Sequence, residues 1–242
     1  MACDAQTVLM MHCDGTDAST TFIDSSVSAK TLTANGNAQI DTAQSVFGGA
    51  SGLFDGTGDY VTAADSDDWL LDGGSDLNTW TIDFRARYGN AAQNYGVAQH
   101  TTDSSNYWSL MKGSTEISFY IRVLGTTIVN IDFALTDSNN TWYHFALVKN
   151  GILGYMCFKD GVQIGSTTTD VSLMGNFTGT LDVGRGWNND GSSLKQYNGW
   201  LDELRISKGV ARWTADFTPP SAAYCGAAAV ATISRLMLMG IS

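Results

Sequence analysis

Residues 80–88 read WTIDFRARY, and their pattern decides the fold class. Trp80, Ile82, Phe84, Ala86 and Tyr88 alternate with Thr81, Asp83, Arg85 and Arg87. Successive side chains on an extended backbone point to opposite faces, so a period of two with one apolar side predicts a half-buried antiparallel strand. The same period continues outward. In residues 116–123, Ile117, Phe119, Ile121 and Val123 face one way, and Glu116, Ser118 and Arg122 the other. Residues 142–149, 155–159, 162–165, 181–184 and 200–207 read as further strands. Asp160-Gly161 supplies the positive φ angles of a tight hairpin. Clusters of Gly, Asn, Asp and Ser separate these runs. No amphipathic helix longer than two turns can be written, and only residues 209–213 suit a short one. About ten short strands with no helical layer predict an all-β chain, a two-sheet antiparallel β-sandwich or jelly roll.

The composition agrees. The 242 residues include 26 Gly, 22 Asp and only two Glu (Glu116 and Glu203), and the net charge is −11. Asp and Gly favour turns where Glu favours helices. The chain has no basic run to neutralise phosphates, which excludes the usual nucleic-acid binders. An anionic membrane surface would repel it, and no apolar segment is long enough to insert. Its first residues, MACDAQTVLMMHCDG, place Asp4 where a secretion signal needs positive charge, so no such signal is expected.

No repeat or linker divides the first 220 residues. The predicted organisation is an N-terminal arm (1–6), one domain (7–224) and an apolar C-terminal arm (225–242). Residues 226–242, GAAAVATISRLMLMGIS, carry one charge, Arg235. They read either as a short element lying against the sandwich or as an arm that docks on a neighbouring subunit. Cys3, Cys13, Cys157 and Cys225 form no CxxC pair. They are expected as buried, reduced thiols, with a bridge from Cys3 or Cys13 to Cys225 as the alternative.

Three stretches taken together carry a family resemblance. They are VLMMHCDGTDASTTFIDSS followed by KTLTANGNAQIDTAQSVFGGASGLFDGTGDYVT, then NTWYHFALVKNG followed by FKDGVQIGS, and finally LDVGRG followed by NGWLDELRISKGVARWTADFTPPSAAY. In this order and spacing they resemble the laminin-G-like, concanavalin A-type jelly roll of the lectin/glucanase superfamily. The subgroup is the one common in bacteriophage and marine viral structural proteins. The resemblance covers residues 7–224 and speaks to fold more than to ligand, because a fold of this kind hosts many functions.

Hydrolysis is not expected. The superfamily's hydrolases carry Glu-x-Asp-x-x-Glu on one strand, whereas here Glu203 adjoins Asp202 and Glu116 has no acidic partner two residues away. Glu203 and Arg205 are expected to share a strand face as a surface pair. His12, His100 and His144 are scattered, and His144 reads as a structural histidine. Relatives hold a structural calcium between the N-terminal loops and the final strand, and this resemblance nominates Asp14, Asp24 and Asp202, with Asp55 and Asp59 as alternates. Otherwise these carboxylates only cap turns. For carbohydrate, Trp187 stands in a polar loop beside Arg185, Asn188, Asn189 and Asp190, with Trp69 as a second aromatic. Trp187 also reads as a ring folded back over the sheet.

The resulting expectation is a non-enzymatic phage virion protein on capsid or tail. It would self-associate, contact other virion proteins and meet host-surface glycans, reaching the particle without a signal peptide. The alternative is a calcium-supported carbohydrate-binding module.

Overall fold

A computed structural model describes residues 3–225. Its strands are β1 (Thr7–Met11), β2 (Leu32–Asn35), β3 (Gln39–Asp41), β4 (Ser51–Asp55), β5 (Tyr60–Ala63), β6 (Thr79–Tyr88), β7 (Tyr95–Asp103), β8 (Asn106–Lys112), β9 (Glu116–Val123), β10 (Thr126–Ala134), β11 (Tyr143–Asn150), β12 (Tyr155–Lys159), β13 (Val162–Thr168), β14 (Leu181–Val183), β15 (Arg185–Trp187), β16 (Leu194–Gln196) and β17 (Asn198–Lys208). Two single 3-10 turns, Asp67–Trp69 and Gly151–Leu153, are the helical elements among the described residues. Residues 209–213, where the sequence allowed a short helix, are irregular.

The strands form two antiparallel sheets facing each other. The first runs β13-β12-β11-β6-β17-β4-β3, with β1 also paired to β17. The second runs β10-β9-β8-β7-β14-β5-β2, and β15 and β16 form a separate hairpin. Between the sheets lies one apolar core that includes Trp80, Phe84, Trp108, Phe119, Phe133 and Tyr155. Each such buried side chain contributes about 1.5–3 kcal/mol of transfer free energy. Residues 54–61, FDGTGDYV, do not close a hairpin within one sheet. Gly56 and Gly58, at φ +87° and +82°, carry the chain from β4 in the first sheet to β5 in the second.

β17 departs from strict alternation. Leu201 and Leu204 both enter the core although they stand three residues apart. A β-bulge makes this possible: Glu203 takes φ +51°, and the register against β6 shifts between Asp202 and Arg205. One inserted residue rephases every side chain after it. The bulge also lies where the other edge of β17 changes partner, from β4 at Asn198–Leu201 to β1 at Leu204–Ser207.

The outer face of the first sheet is covered by the chain after β17. Trp213 and Phe217 stack at 4.1 Å and both meet His144 edge-on, with Phe158 packed against Phe217. The carboxylates beneath this strap are paired across elements, while His12 Nε2, Arg85 Nε and His144 Nδ1 are buried without a partner. Asp83 receives two hydrogen bonds from Arg205, both 2.9 Å. Glu203 accepts the Tyr224 N–H at 2.7 Å and bonds His12 Nδ1 at 2.7 Å. Glu203 and Arg205 therefore do not pair with each other, and neither is a surface residue. The expected N-terminal arm is part of this layer from Cys3 on: Cys3 is buried, and Asp4 pairs with Arg212. Cys3 is bonded to Cys225, so the expectation of reduced thiols holds only for the buried Cys13 and Cys157. The rest of the predicted C-terminal arm lies outside the described residues.

Candidate functional site

The outer face of the second sheet carries the β15–β16 hairpin, laid flat across β7 and β8. The approach is close enough to need glycine on both sides. A Cβ on Gly96 would overlap the Gly186 backbone, and one on Gly186 would meet Ser109 Oγ and Met111 Sδ. Gln99, 1% exposed, fixes the hairpin by accepting the Trp187 N–H at 2.9 Å and donating to Asp182 at 2.8 Å. Asp182 also accepts from Arg185 Nε at 3.0 Å, and the Arg185 guanidinium lies 3.4 Å from the Tyr60 ring centroid.

Beyond this hairpin, at one end of the sandwich, β16 faces the loop between β6 and β7. The two enclose an open cleft of about 690 Å³, within the range of small-ligand sites. Its lining is rich in amides: Asn90, Gln93, Asn94, Gln196 and Asn198, with Lys195 as the cation. Tyr95 forms part of the wall and donates its hydroxyl to the Asn90 carbonyl at 2.9 Å. Gln196 Oε1 is buried without a hydrogen-bond partner. Such an acceptor is costly unless a donor meets it, and because the atom is closed to solvent a ligand hydroxyl meets it only when the side chain turns into the cleft.

The structure divides the residues nominated from sequence. Arg185, Trp187, Asn188, Asn189 and Asp190 do share one hairpin. Much of their hydrogen bonding is already used: Tyr107 and Thr127 donate to the carbonyls of Asn188 and Asn189, and Asp190 caps Ser192. Trp187 is half-buried. Trp69 is a correction. It is 0% exposed, donates to the Ala64 carbonyl and belongs to the core, so its ring has no free face for a sugar. The cleft residues were missed because they come from loops about a hundred positions apart. The available signal was residues 89–94, GNAAQN, a polar run too long for a two-residue turn.

The three nominated calcium ligands also separate. Asp24 accepts from the N–H groups of Met10, Ser26 and Lys30 and from the Ser26 hydroxyl. Its lone pairs are spent, and it stands apart from the other two. Asp59 and Asp55 likewise accept loop N–H groups. Asp14 and Asp202, by contrast, meet at residues 46–48. Asp202 Oδ2 accepts from Val46 at 2.7 Å and Phe47 at 3.1 Å, and a Cβ on Gly48 would overlap the Asp14 carboxylate. Oδ1 of each is buried and unpartnered. Burial, with the neighbouring charges of Glu203 and Asp14, pushes Asp202 up to about 7 despite its two N–H donors. Burial and Glu203 also raise Asp14, although His12 acts in the opposite direction. Among the described residues no group of three or more His, Cys, Asp or Glu side chains is set to hold a metal. The trio therefore does not fit a calcium site. The pair does offer two free carboxylate oxygens to a hard cation.

A family model described as the concanavalin A-like lectin/glucanases superfamily matches residues 55–214. The chain belongs to this superfamily. Solved structures with the same fold include the binding domain of botulinum neurotoxin DC in complex with rat synaptotagmin II (TM-score 0.61, 16% identity, 85% of this chain and 49% of that one). Botulinum neurotoxin type C, whose cell entry depends on interaction with two ganglioside molecules, is similar (TM-score 0.59, 17% identity, 85% and 48%). So is the serotype G binding domain (TM-score 0.61, 16% identity, 84% and 48%). The chain spans about half the length of these structures. No curated protein matches it in sequence. β17 carries Asp202 and Glu203, the adjacent carboxylates of the final strand. Its Glu203 is 1% exposed with both oxygens bonded, and Asp202 is 0% exposed.

Proposed function

We propose that this chain is a non-enzymatic, lectin-like binding module displayed on a virus particle, and that the amide-lined cleft between β16 and residues 89–95 takes a hydroxyl-rich glycan. The observation that carries the reading is the cleft itself, a concave polar site lined by five amide side chains at the end of the sandwich. Amide side chains donate and accept at once, which suits vicinal hydroxyls. The burial of both β17 carboxylates, with each Glu203 oxygen already bonded, supports binding without hydrolysis. The virion setting rests on the sequence resemblance, and its test is stoichiometric recovery of the chain in purified particles.

A glycan array probed with the full chain tests the site. Reproducible binding to neutral glycans is expected, with Asn94→Ala and Gln196→Ala each weakening it about tenfold through the loss of a hydrogen bond. If both variants bind normally and Trp187→Ala does not, the site belongs on the hairpin face instead.

The alternative, a calcium-supported module, is favoured by one specific observation, the orphaned oxygens of Asp14 and Asp202. Asp202 titrates at about 7 in the folded chain against an ordinary 3.8. A raised carboxyl pKa penalises the folded state as the unfolded chain ionises first, so stability falls between those two values and then levels off. Asp202→Asn is expected to flatten this pH dependence. Added calcium at neutral pH should raise the wild-type melting temperature by roughly 4–8 °C, the equivalent of about 2 kcal/mol, and leave Asp202→Asn unmoved. A wild-type melt indifferent to calcium and to chelator removes the cation from the proposal.

A further inference from the structure

The end opposite the cleft has a different surface. β6 links the two, starting beside Leu77 and ending beside Gly89, a run of about 33 Å at strand rise. Among the described residues, nine large hydrophobic side chains are exposed, and Leu77, Ile152, Leu153, Val171 and Leu173 are five of them, each 43–67% exposed. They stand on three adjoining loops. A Cβ on Gly151 would lie 2.9 Å from the Leu77 carbonyl oxygen, and one on Gly154 would overlap the Thr168 carbonyl. The Met174 N–H donates to Asp72 at 2.6 Å, tying the third loop to the first. A contiguous aliphatic patch of this kind marks an interaction surface.

The rim of the patch is acidic. Lys149 is buried there with its ammonium on the Asp170 carbonyl, and Asp72, Asp76 and Asp170 all act on it. Three carboxylates to one ammonium leave an excess of negative charge. The complementary partner is an aliphatic segment with a lone positive charge and no acid. Residues 226–242, which lie outside the described residues, have that composition: Ile233, Leu236 and Leu238 surround Arg235, with no Asp or Glu.

We propose that the apolar end receives residues 226–242 of a second copy of this chain, so that copies associate tail to end. The root of that segment is fixed, since Cys225 is bonded to Cys3 over β1 and β17. Seventeen residues span up to about 55 Å when extended, enough to reach a neighbour. Such a contact builds a closed ring or an open run, or a two-fold dimer where two copies exchange tails.

The test is light-scattering mass of the full chain against four variants. One ends at Gly226 and keeps Cys225. The others are Leu77→Asp with Leu153→Asp, Arg235→Glu, and Val162→Asp as a control at an exposed site near the cleft end. The full chain and Val162→Asp are expected as concentration-dependent oligomers. The truncation and the double variant should be monomers with unchanged melting curves, and Arg235→Glu should raise the association constant's midpoint concentration at least tenfold. A monomeric full chain overturns the proposal. So does a double variant that keeps the wild-type mass, because the tail then docks elsewhere, or a truncation that keeps it, because the patches then pair without the tail.

Discussion

Replacing Asp83 with alanine is expected to cost about 3–5 kcal/mol, the loss typical when one partner of a buried ion pair is removed. Asp83 is 0% exposed and receives both hydrogen bonds of the Arg205 fork. Arg205 is itself nearly buried, lying 4.1 Å from the Tyr224 ring centroid. Without Asp83 its charge stays in place with no counter-charge. His144 Nε2, 3.6 Å from Asp83 and 2.8 Å from the Tyr224 hydroxyl, would lose its acidic neighbour as well. Burial alone would raise the Asp83 carboxyl, but the Arg205 charge and the His144 contact outweigh it and hold it below the ordinary value. A depressed carboxyl pKa contributes stability above the unfolded value of 3.8, and that contribution disappears as pH falls through the folded value. The difference between wild type and Asp83→Ala should therefore shrink in strong acid. Urea unfolding at neutral pH measures the cost, and the double variant Asp83→Leu with Arg205→Met should recover most of it. A loss below about 1 kcal/mol for Asp83→Ala would mean the pair is effectively solvated.

This pair also shows what the sequence could reveal. Asp83 and Arg85 sit at polar positions of the 80–88 alternation and do leave the sandwich core, as the period requires. Period alone, however, assigns the second face to solvent. Here that face is buried again under Trp213 and Phe217, so polar positions became an internal ion-pair layer. β7 and β8 were harder to read for the same reason. The β15–β16 hairpin covers their outer face, so Gly96, Val97, Ala98 and Gln99 are all buried and no alternation survives. In β17 the misreading had a visible cue, since Leu201 and Leu204 cannot share a face without a bulge. Trp69 sits among acids in sequence, yet a single 3-10 turn rotates its ring inward. The cleft had no local cue strong enough to join Asn94 to Gln196, because contacts between distant loops depend on topology that pattern does not specify.

Loss of the Cys3–Cys225 bridge is the other large effect. The bond closes a loop across 222 positions, and for a loop of that length the chain-entropy estimate is about 5 kcal/mol, with measured values more often 2–4. Cys225→Ser, Cys3→Ser and reduction of the wild type should each lower stability by that smaller amount, and the double variant should add nothing to either single one. The loss should be concentrated in the strap. Tyr224 stands next to Cys225 and supplies the N–H that satisfies Glu203, and its hydroxyl meets His144. Once the strap frays, Glu203 keeps only His12, whose pKa burial would lower but which Glu203, with Asp14 and the Cys225 backbone, holds above its ordinary value. Thiol counting separates this from general unfolding. Cys13 and Cys157 are buried, and burial pushes both thiols well up, so neither should react in the native fold. Native protein should show no reactive thiol, and mild reduction should expose two, with hydrogen exchange rising in residues 209–225 before the sandwich core. Reduction that frees two thiols yet leaves both the melting temperature and strap exchange unchanged would show that apolar packing of Trp213 and Phe217 holds the strap without its covalent anchor.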